Sequence, residues 1–329
     1  MNKIAVIIPA YNEELTIKDV ILDFWTAPYK DRYDYKIYVI DNNSQDDTNI
    51  IAKNTLAENN INGEVFFVKR QGKANAVRYS FSKIDADVYI MIDADSTYWA
   101  EDLEKFINPV LFDDVDMVIG DRISNGMYAQ ENKRKFHGFG NLLIKKMINY
   151  IFHAELQDIM TGYRSFSKRL VRNYPILCEG FELETDISIF CLEHKFNILE
   201  VPIKFSDRPN GSVSKLNTYS DGIKVILTVL DLFRNYKPMQ FFSWIGMVLL
   251  ILGLLSGIFP ILNYVETRYV TQVPMAILAV GLVVTSMLSF SIGLILSSVR
   301  RFHNISFELR RLAWSDEMID FRPRAKQKG

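Results

Sequence analysis

The sequence predicts an α/β domain followed by a pair of membrane-spanning helices, and three observations lead to this prediction. Short apolar segments alternate with helical patterns over residues 1–218, which indicates a mainly parallel sheet covered by helices. One apolar segment runs directly into two carboxylates, Asp93 and Asp95. Two long uncharged segments, residues 238–265 and 269–299, follow near the carboxyl end. The chain thus combines a domain of enzyme-like pattern with a membrane anchor.

Strands and helices are predicted to alternate along the first 120 residues. Either Ser44 or Asp46 is expected to cap the second helix. Neither Gly-x-Gly-x-x-Gly nor a P-loop signature occurs, which excludes the usual dinucleotide and P-loop fingerprints. The predicted strands are residues 4–8, 36–40, 64–68, 88–92 and 116–119, and the predicted helices are residues 14–25, 46–59, 73–82 and 101–110.

Composition narrows the classes of partner and compartment. The 329 residues carry a net charge of −1, so no global field recruits nucleic acid, and we expect no nucleic-acid partner. Two cysteines, Cys178 and Cys191, have neither metal-site nor disulfide-framework spacing, which suits a reducing compartment. No secretory signal precedes the first strand, so we expect the amino-terminal domain to lie in the cytoplasm.

Asp93 and Asp95 are the strongest candidate metal ligands. They follow the strand predicted at residues 88–92, and residues two apart in an extended chain point the same way. Open α/β sheets place ligands at the carboxyl ends of their strands. Mg²⁺ is typically held by one or two carboxylates plus substrate phosphates. The pair therefore predicts a metal clamp for a nucleotide pyrophosphate.

Polar residues also follow the other strands of the predicted sheet. Tyr11 and Glu13 come after the first strand, and Asp41 after the second. Their positions suit a nucleobase face, its hydrogen-bonding edge and a ribose, respectively. The turn at residues 70–73, which ends in Lys73, is compatible with a loop that faces a phosphate or a base.

As an ordered set, these segments resemble glycosyltransferase family 2. The resemblance covers about the first 215 residues, and it implies the GT-A fold (Rossmann-like, with a mainly parallel sheet), a nucleotide-diphosphate sugar donor, and Mg²⁺ or Mn²⁺. The matching segments are 6–14 (Val-Ile-Ile-Pro-Ala-Tyr-Asn-Glu-Glu), 39–44 (Val-Ile-Asp-Asn-Asn-Ser), 72–73 (Gly-Lys) and 93–95 (Asp-Ala-Asp).

Within that family the chain most resembles the polyprenyl-phosphate glycosyltransferases, which include the dolichyl-phosphate mannose synthases. Position 97, two residues after Asp95, is a threonine here and a glutamine in the mannose synthases. This difference weakens the inference that the donor sugar is the same as theirs. The Gln-x-x-Arg-Trp signature of processive polysaccharide synthases is missing. The further matching segments are 120–122 (Gly-Asp-Arg), 158–164 (Asp-Ile-Met-Thr-Gly-Tyr-Arg), 201–208 (Val-Pro-Ile-Lys-Phe-Ser-Asp-Arg) and 214–216 (Ser-Lys-Leu).

The resemblance and the chemistry of the residues together divide the expected site in two. On the acceptor side, Arg122 is expected to anchor a lipid phosphate, and Asp158 to orient it or accept its proton. Glu182 and Glu184 compete with Asp158 for that role. Asp95, Asp158 and Arg122 are thus the predicted catalytic residues. The donor is expected to contact Pro9, Tyr11, Glu13, Asp41, Lys73, Asp93, Ala94, Asp95, Arg208 and Lys215, with Asp93 and Asp95 on the metal.

The uncharged segments predict a helical hairpin whose two ends face the cytoplasm. Arg234 and Lys237 precede the first segment and Arg300 and Arg301 follow the second, and such residues favour the cytoplasmic side. The predicted divisions are a transferase domain at 1–218, a juxtamembrane helix at 219–237, two transmembrane helices at 238–299 and a basic tail at 300–329. Residues 220–236 show a helical apolar stripe, either interfacial or packed on the domain, and residues 302–314 suggest a second interfacial helix.

The leading hypothesis is an inverting transferase that makes a polyprenyl-phosphate monosaccharide at the cytoplasmic leaflet of the inner membrane. A second hypothesis is transfer to a sugar hydroxyl of a glycolipid, for which Glu182, Glu184 or Asp186 would supply a stronger base. A third is a membrane-anchored scaffold that binds nucleotide sugars. Candidate partners, besides the donor, the polyprenyl phosphate and the membrane, are a flippase, a downstream transferase and a second copy of the chain.

Overall fold

The computed structural model describes residues 1–27, 30–124, 135–176, 178, 183–206, 230–269 and 271–320. The chain divides into two compact units, Met1–Asp221 and Gly222–Gly329, which are described separately below. The first contains a sheet with flanking helices, and the second contains two long apolar helices.

The first unit is built on a sheet of seven strands. Its strands are β1 (Lys3–Ala10), β2 (Asp34–Asp41), β3 (Gly63–Phe67), β4 (Val88–Met91), β5 (Met117–Asp121), β6 (Arg164–Ser167) and β7 (Ile198–Pro202). Its α-helices are α1 (Ile17–Trp25), α2 (Thr48–Glu58), α3 (Lys73–Lys83), α4 (Leu103–Phe112), α5 (Lys135–Phe152), α6 (Lys168–Asn173) and α7 (Leu183–Glu193). Short 3₁₀ helices lie at Lys30–Arg32 and Ala100–Asp102.

The strand order is β3-β2-β1-β4-β6-β5-β7. All described pairs are parallel except those of β6, which runs antiparallel between β4 and β5. The prediction of a mainly parallel α/β sheet is therefore confirmed. Strands β6 and β7 were not predicted: β6 has only four residues and begins at Arg164, so it carries no apolar run.

The predicted elements occur with shifted ends. The helix predicted at 14–25 begins at Ile17, and the one predicted at 101–110 begins with a 3₁₀ turn. The predicted caps of the second helix are wrong, because Asp47 is the residue that precedes α2. Asp46 instead accepts hydrogen bonds from the backbone N–H (3.1 Å) and hydroxyl (2.5 Å) of Thr48, and Ser44 accepts one from the N–H of Asn12.

The core lies between the sheet and helices α1, α2 and α4. Three aromatic side chains pack together in this core. The Phe106 and Tyr163 rings stack with centroids 3.8 Å apart, and Phe24 contacts Tyr163 edge-on. Tyr163 directly precedes β6, so burial of its ring fixes the end of the segment 158–163 against the core.

The second unit contains α8 (Pro238–Thr267) and α9 (Val273–Asp320). Both are long and apolar enough to cross a membrane, and most of their apolar side chains are exposed, unlike those of a soluble core helix. The helices pack through small residues: Ser286 Oγ donates to the carbonyl of Gly246 (2.8 Å) and Ser289 Oγ to that of Phe242 (2.9 Å).

Residues 302–314 are helical, as predicted, but they continue α9 and do not form a second helix of their own. No glycine or proline occurs between residues 294 and 320, so nothing in the sequence interrupts the helix. Of the predicted juxtamembrane segment, residues 230–236 are helical, and residues 220–229 lie outside the described part of the chain.

Candidate functional site

The carboxyl ends of β1, β2 and β4 meet at one edge of the sheet. Parallel pairing sets Ala10 of β1 beside Asp41 of β2, and Ile7 beside Met91 of β4. The residues that follow these strands therefore come together, as the alternating pattern predicts. This edge holds most of the predicted donor contacts.

Asp95 is fixed by the turn that follows β4. Its Oδ1 accepts a hydrogen bond from Thr97 Oγ1 (2.6 Å) and a longer one from the Thr97 N–H (3.3 Å). Ser96 between them has φ 58°, so the backbone turns sharply in the left-handed region. Asp95 is 6% exposed. The threonine that departs from the mannose-synthase pattern thus supports a predicted metal ligand directly.

Asp93 is held by a lysine rather than by the turn. Lys73 Nζ donates to Asp93 Oδ1 and also to Glu184 Oε1 at the start of α7. Burial alone would lower the pKa of Lys73, but the charges of Asp93 and Glu184 outweigh that effect and hold the pKa above its usual value. Lys73, a predicted donor contact, therefore remains an ammonium between two carboxylates.

The loop before α3 delivers Lys73 to this position. Asn42 Nδ2 donates to the carbonyl of Arg70 (2.7 Å), and Asn42 Oδ1 accepts from the N–H of Gly72 (2.6 Å). Gly72 has φ 119°, a conformation that side chains rarely adopt. The strand-end asparagine and the glycine together direct the start of α3 toward Asp93.

The loop after β1 is tied to the carboxylate turn by Thr16. Thr16 Oγ1 donates to the carbonyl of Ala94 (2.6 Å) and lies 3.3 Å from Glu13 Oε2. Pro9 pairs with Ile40 within the sheet, and Tyr11 and Glu13 are partly buried. Four predicted donor residues (Pro9, Tyr11, Glu13 and Ala94) therefore lie at the same edge, and Thr16, which belongs to no motif, connects two of them.

Asp41 is more deeply buried than the other predicted donor contacts that the structure describes. It is 1% exposed; its Oδ1 accepts from the N–H of Ser44 (3.0 Å), and its Oδ2 accepts from Asn49 Nδ2 (2.8 Å). These bonds shape the turn after β2. Its role toward a ribose stays a prediction.

Arg122 and Asp158, both predicted on the acceptor side, form a bidentate ion pair. Arg122 Nε and NH2 donate to the two carboxylate oxygens of Asp158 at 2.7 and 3.0 Å, and Asp158 is 3% exposed. The Arg122 guanidinium also lies over the ring of Phe205, 5.3 Å from its centroid. Glu200 accepts hydrogen bonds from the N–H groups of Gln157 and Asp158, which fixes the chain beneath the pair.

The segment 158–164 then returns to the carboxylate edge. Arg164 is fully buried and donates to the carbonyl of Thr161 (2.9 Å) and to Ser188 Oγ of α7 (2.8 Å). Burial lowers the pKa of its guanidinium from its usual value. A methyl group at Gly162 would overlap the carboxylate of Asp93. Arg164 thus positions the loop so that Gly162 packs directly against Asp93.

Tyr98 joins the two sides of the site. Its hydroxyl accepts a hydrogen bond from the N–H of Gly162 (3.0 Å). Burial raises the pKa of Tyr98 to about 12; the charge of Arg122 opposes this rise, and those of Asp93 and Asp95 add to it. One phenol therefore lies within electrostatic reach of the Asp93 and Asp95 carboxylates and of the Arg122 guanidinium. Sequence reasoning missed Tyr98, which no motif marks.

Some of the remaining predicted residues lie outside the described part of the chain, and the others are paired with different side chains. Arg208, Lys215 and Glu182 lie outside the described residues. Glu184 is 5% exposed and paired with Lys73, and Asp186 accepts a 2.6 Å hydrogen bond from the Tyr174 hydroxyl. The competing acids of α7 that the structure describes are therefore both engaged with other side chains.

The residues fit a divalent cation that also binds substrate. Among the described residues, no three His, Cys, Asp or Glu side chains form a metal cluster, so no site made of protein ligands alone is present there. Asp93 and Asp95 offer two hard oxygen ligands at the sheet edge, the number with which Mg²⁺ is usually bound beside substrate phosphates. The donor set thus suits Mg²⁺ or Mn²⁺ together with a diphosphate.

Comparison with known proteins identifies the family. Residues 5–174 match the family described as Glycosyl transferase family 2. The chain belongs to this family. Glycosyltransferase AglJ of Haloferax volcanii is 30% identical over 249 residues, which cover 74% of this chain and 77% of AglJ. The dolichyl-phosphate hexose transferase of the same organism is 28% identical over 68% of this chain and 91% of its own length.

The fold also matches that of a solved enzyme structure. Glucosyl-3-phosphoglycerate synthase from Mycobacterium tuberculosis, crystallised with Mn²⁺, UDP and phosphoglyceric acid, superposes with a TM-score of 0.55 at 19% identity, covering 70% of this chain and 78% of the synthase. The predicted GT-A-like fold and the predicted family are therefore confirmed. This member of family 2 is a hexosyltransferase.

Proposed function

We propose that this transferase moves one sugar from a nucleotide-diphosphate sugar to a polyprenyl phosphate at the cytoplasmic leaflet, with inversion at the anomeric carbon. The observation that carries the proposal is the Arg122–Asp158 pair, which lies within reach of the same tyrosine as Asp93 and Asp95. The pair holds the Arg122 guanidinium in place, and a guanidinium is well suited to bind a phosphate. Asp93 and Asp95 supply the carboxylates that suit the metal and the donor diphosphate.

Donor binding would use the edge formed by β1, β2 and β4. Asp93 and Asp95 would hold Mg²⁺ or Mn²⁺, and Tyr11, Glu13 and Asp41 would contact the nucleoside. The metal would neutralise charge on the departing nucleoside diphosphate. Thr97 holds the Asp95 carboxylate, and Thr16 ties the loop after β1 to the carbonyl of Ala94, before the donor arrives.

Acceptor activation requires orientation more than a base. A phosphomonoester has a second pKa of about 6, so it is largely ionised near neutral pH. Both carboxylate oxygens of Asp158 accept hydrogen bonds from Arg122, so we assign Asp158 to positioning Arg122 rather than to proton transfer. Arg122 would align the phosphate oxygen for in-line attack while the nucleoside diphosphate leaves on the opposite face.

The alternative acceptor, a sugar hydroxyl, fits the described residues less well. It needs a general base, yet Glu184 is bound to Lys73 and Asp186 to Tyr174. The long exposed apolar faces of α8 and α9 favour a lipid acceptor of either kind, so the difference lies in the need for a base. The relative named a dolichyl-phosphate hexose transferase supports a lipid phosphate as the acceptor and speaks against a scaffold without activity.

Transfer assays on the purified full chain test the proposal. Labelled UDP- and GDP-sugars are incubated with polyprenyl phosphate and Mn²⁺, with the matching polyprenol and a sugar-bearing glycolipid as parallel acceptors. We expect one donor to yield a phosphate-linked glycolipid and no product with the polyprenol, and the anomeric configuration of that product tests inversion. Product formed only on the glycolipid hydroxyl contradicts the proposal.

We also propose that α8 and α9 form a transmembrane hairpin in the inner membrane, with the catalytic domain cytoplasmic. Thr267 lies at the end of α8, before the turn to α9. Thr267→Cys, in a chain with both native cysteines changed to serine, should react with an impermeant maleimide from outside intact spheroplasts. Reaction only after the membrane is opened contradicts this topology; Ser306→Cys near the end of the membrane segment serves as the inside control.

A further inference from the structure

The side chain of Lys73 contacts the carboxylate of Asp93, one of the two proposed metal ligands. Its Nζ donates to Asp93 Oδ1 and to Glu184 Oε1, and the side chains of Lys73 and Glu184 are 12% and 7% exposed. Three charged groups thus form a chain in which one ammonium is shared by the buried Glu184 carboxylate and the partly exposed Asp93 carboxylate (29% exposed). The Lys73 ammonium can therefore break its hydrogen bond to one carboxylate and keep the bond to the other.

Asp93 has little freedom to move away from its neighbours. A methyl group at Gly162 would overlap its Oδ2, so the carboxylate is packed directly against that backbone. Gly162 is in turn held by the Tyr98 hydroxyl (3.0 Å). When a cation approaches Asp93, the long and flexible side chain of Lys73 is therefore the part of this cluster that can give way.

Glu184 offers Lys73 a position that does not compete with a metal. It begins α7, 111 residues from Lys73 in the chain, and the guanidinium of Arg164 interacts with it electrostatically. A lysine that moves off Asp93 keeps a buried carboxylate partner and pays no full desolvation cost. Without Glu184, a displaced ammonium would lose both of its described partners.

We propose that Lys73 is a resident cation that neutralises the Asp93 carboxylate before the metal and donor bind, and that Glu184 receives it when they arrive. Glu184 is then a positioning residue for metal loading and not the base of the reaction. This inference rests on the proposed metal role of Asp93 and Asp95. It predicts opposite effects on metal affinity from two neighbouring residues, Lys73 and Glu184.

Metal binding without substrate tests the exchange. Mn²⁺ affinity of the full chain in detergent is measured by electron paramagnetic resonance for wild type, Lys73→Met and Glu184→Gln. We expect Lys73→Met to tighten Mn²⁺ binding about tenfold and Glu184→Gln to weaken it by a similar factor, the size of a typical coupling between two ligands. Lys36→Met, which removes the same charge from an exposed pair with Glu64, is the matched control and should leave affinity unchanged.

The double variant Lys73→Met/Glu184→Gln distinguishes two explanations for the effect of Glu184. Glu184 either acts by binding the displaced Lys73 or acts on the metal directly through its negative charge. If Glu184 acts by receiving Lys73, Glu184→Gln changes Mn²⁺ affinity less than about twofold once Lys73 is absent. An equal effect of Glu184→Gln in both backgrounds, or unchanged affinity in Lys73→Met, overturns the inference. Thermal melting gives a second readout: Lys73→Met should melt lower without metal and regain more stability with Mn²⁺ than wild type.

The same titrations distinguish the two proposals. If wild type binds Mn²⁺ and Asp95→Asn does not, the proposed metal site is upheld, whatever the effect of changing Lys73. Absence of Mn²⁺ binding in wild type and in Lys73→Met, both alone and with inorganic pyrophosphate added, overturns the proposed metal site and this inference together. Lys73→Gln, which keeps a polar side chain, replaces the methionine variant if the latter fails to fold by circular dichroism.

Discussion

The two sides of the site are stabilised in different ways. On the proposed donor side, neutral hydroxyl and amide groups hold Asp95 and the loops, as Thr97 does for Asp95 and Asn42 for the turn at Gly72, while the charge of Lys73 holds Asp93. On the acceptor side, buried charge does this work, in the Arg122–Asp158 pair and the fully buried Arg164. Removing a neutral partner costs little, whereas removing one member of a buried ion pair leaves an uncompensated charge. We therefore expect changes at Asp95 and at the neutral contacts of the donor side to act mainly on activity, and changes to the Arg122–Asp158 pair to act on activity and stability together.

The largest effect on activity is expected from Asp95→Ala. Loss of a metal ligand should lower transfer by at least about a hundredfold, while the free energy of unfolding changes by no more than about 1 kcal/mol. Asp93→Ala and a chelator should reproduce the loss of activity. Initial rates and denaturant melts on the same preparations measure both quantities. Full turnover by Asp95→Ala in metal-free buffer would rule out the clamp.

Asp158→Asn should affect both stability and activity. The buried Arg122 guanidinium would lose its carboxylate, which costs about 3 kcal/mol of unfolding free energy. Turnover should fall more than donor affinity, since the proposed role of Asp158 is to orient Arg122 for the transfer step. Calorimetric donor binding and rates against polyprenyl phosphate test this. A stable variant with normal acceptor dependence would show that the two sides do not differ as described.

Arg122→Ala addresses the acceptor more directly. It should raise the polyprenyl phosphate concentration needed for half-maximal rate by about tenfold, with little change in donor affinity. The control is Arg32→Ala, which removes an exposed arginine that pairs with Glu104. A loss of donor binding at normal acceptor dependence would place Arg122 on the donor side instead.

Gly162→Ala tests the contact between the two sides. The added methyl group must displace either the Asp93 carboxylate or the loop that Arg164 holds. A small misplacement of a reacting group is costly, so we expect about a tenfold loss of turnover and weaker Mn²⁺ binding, with the domain still folded. Normal Mn²⁺ affinity in this variant would show that the loop, and not Asp93, yields.

The smallest effect is expected from Thr97→Val, which removes the 2.6 Å hydrogen bond to Asp95 and keeps the shape of the side chain. Loss of one such bond is worth about 1 kcal/mol, which corresponds to about a fivefold decrease in Mn²⁺ affinity. Thr97→Ser keeps the hydroxyl and should bind Mn²⁺ as wild type does. Equal affinities for all three proteins would remove Thr97 from the account of the donor side.

The donor side was largely predictable from local sequence. Asp41 is the last residue of β2, and Asp93 and Asp95 lie within four residues of the end of β4; neighbouring parallel strands bring their carboxyl ends to one edge of the sheet. Lys73 follows a glycine at a positive φ, which the turn required. Position after a strand therefore determined most of the donor side. Whether Asp41 contacts a ribose is still a prediction.

The sequence by itself determined the α/β class, the two apolar helices and the order of motifs, since each depends on periodicity over neighbouring residues. Only the tertiary structure decided that β6 lies antiparallel between β4 and β5. That insertion brings Gly162 against Asp93, and the packing around it joins Arg122 to Asp158 and Lys73 to Glu184. Contacts across 36 and 111 residues arise from sheet order and burial, which no local pattern encodes.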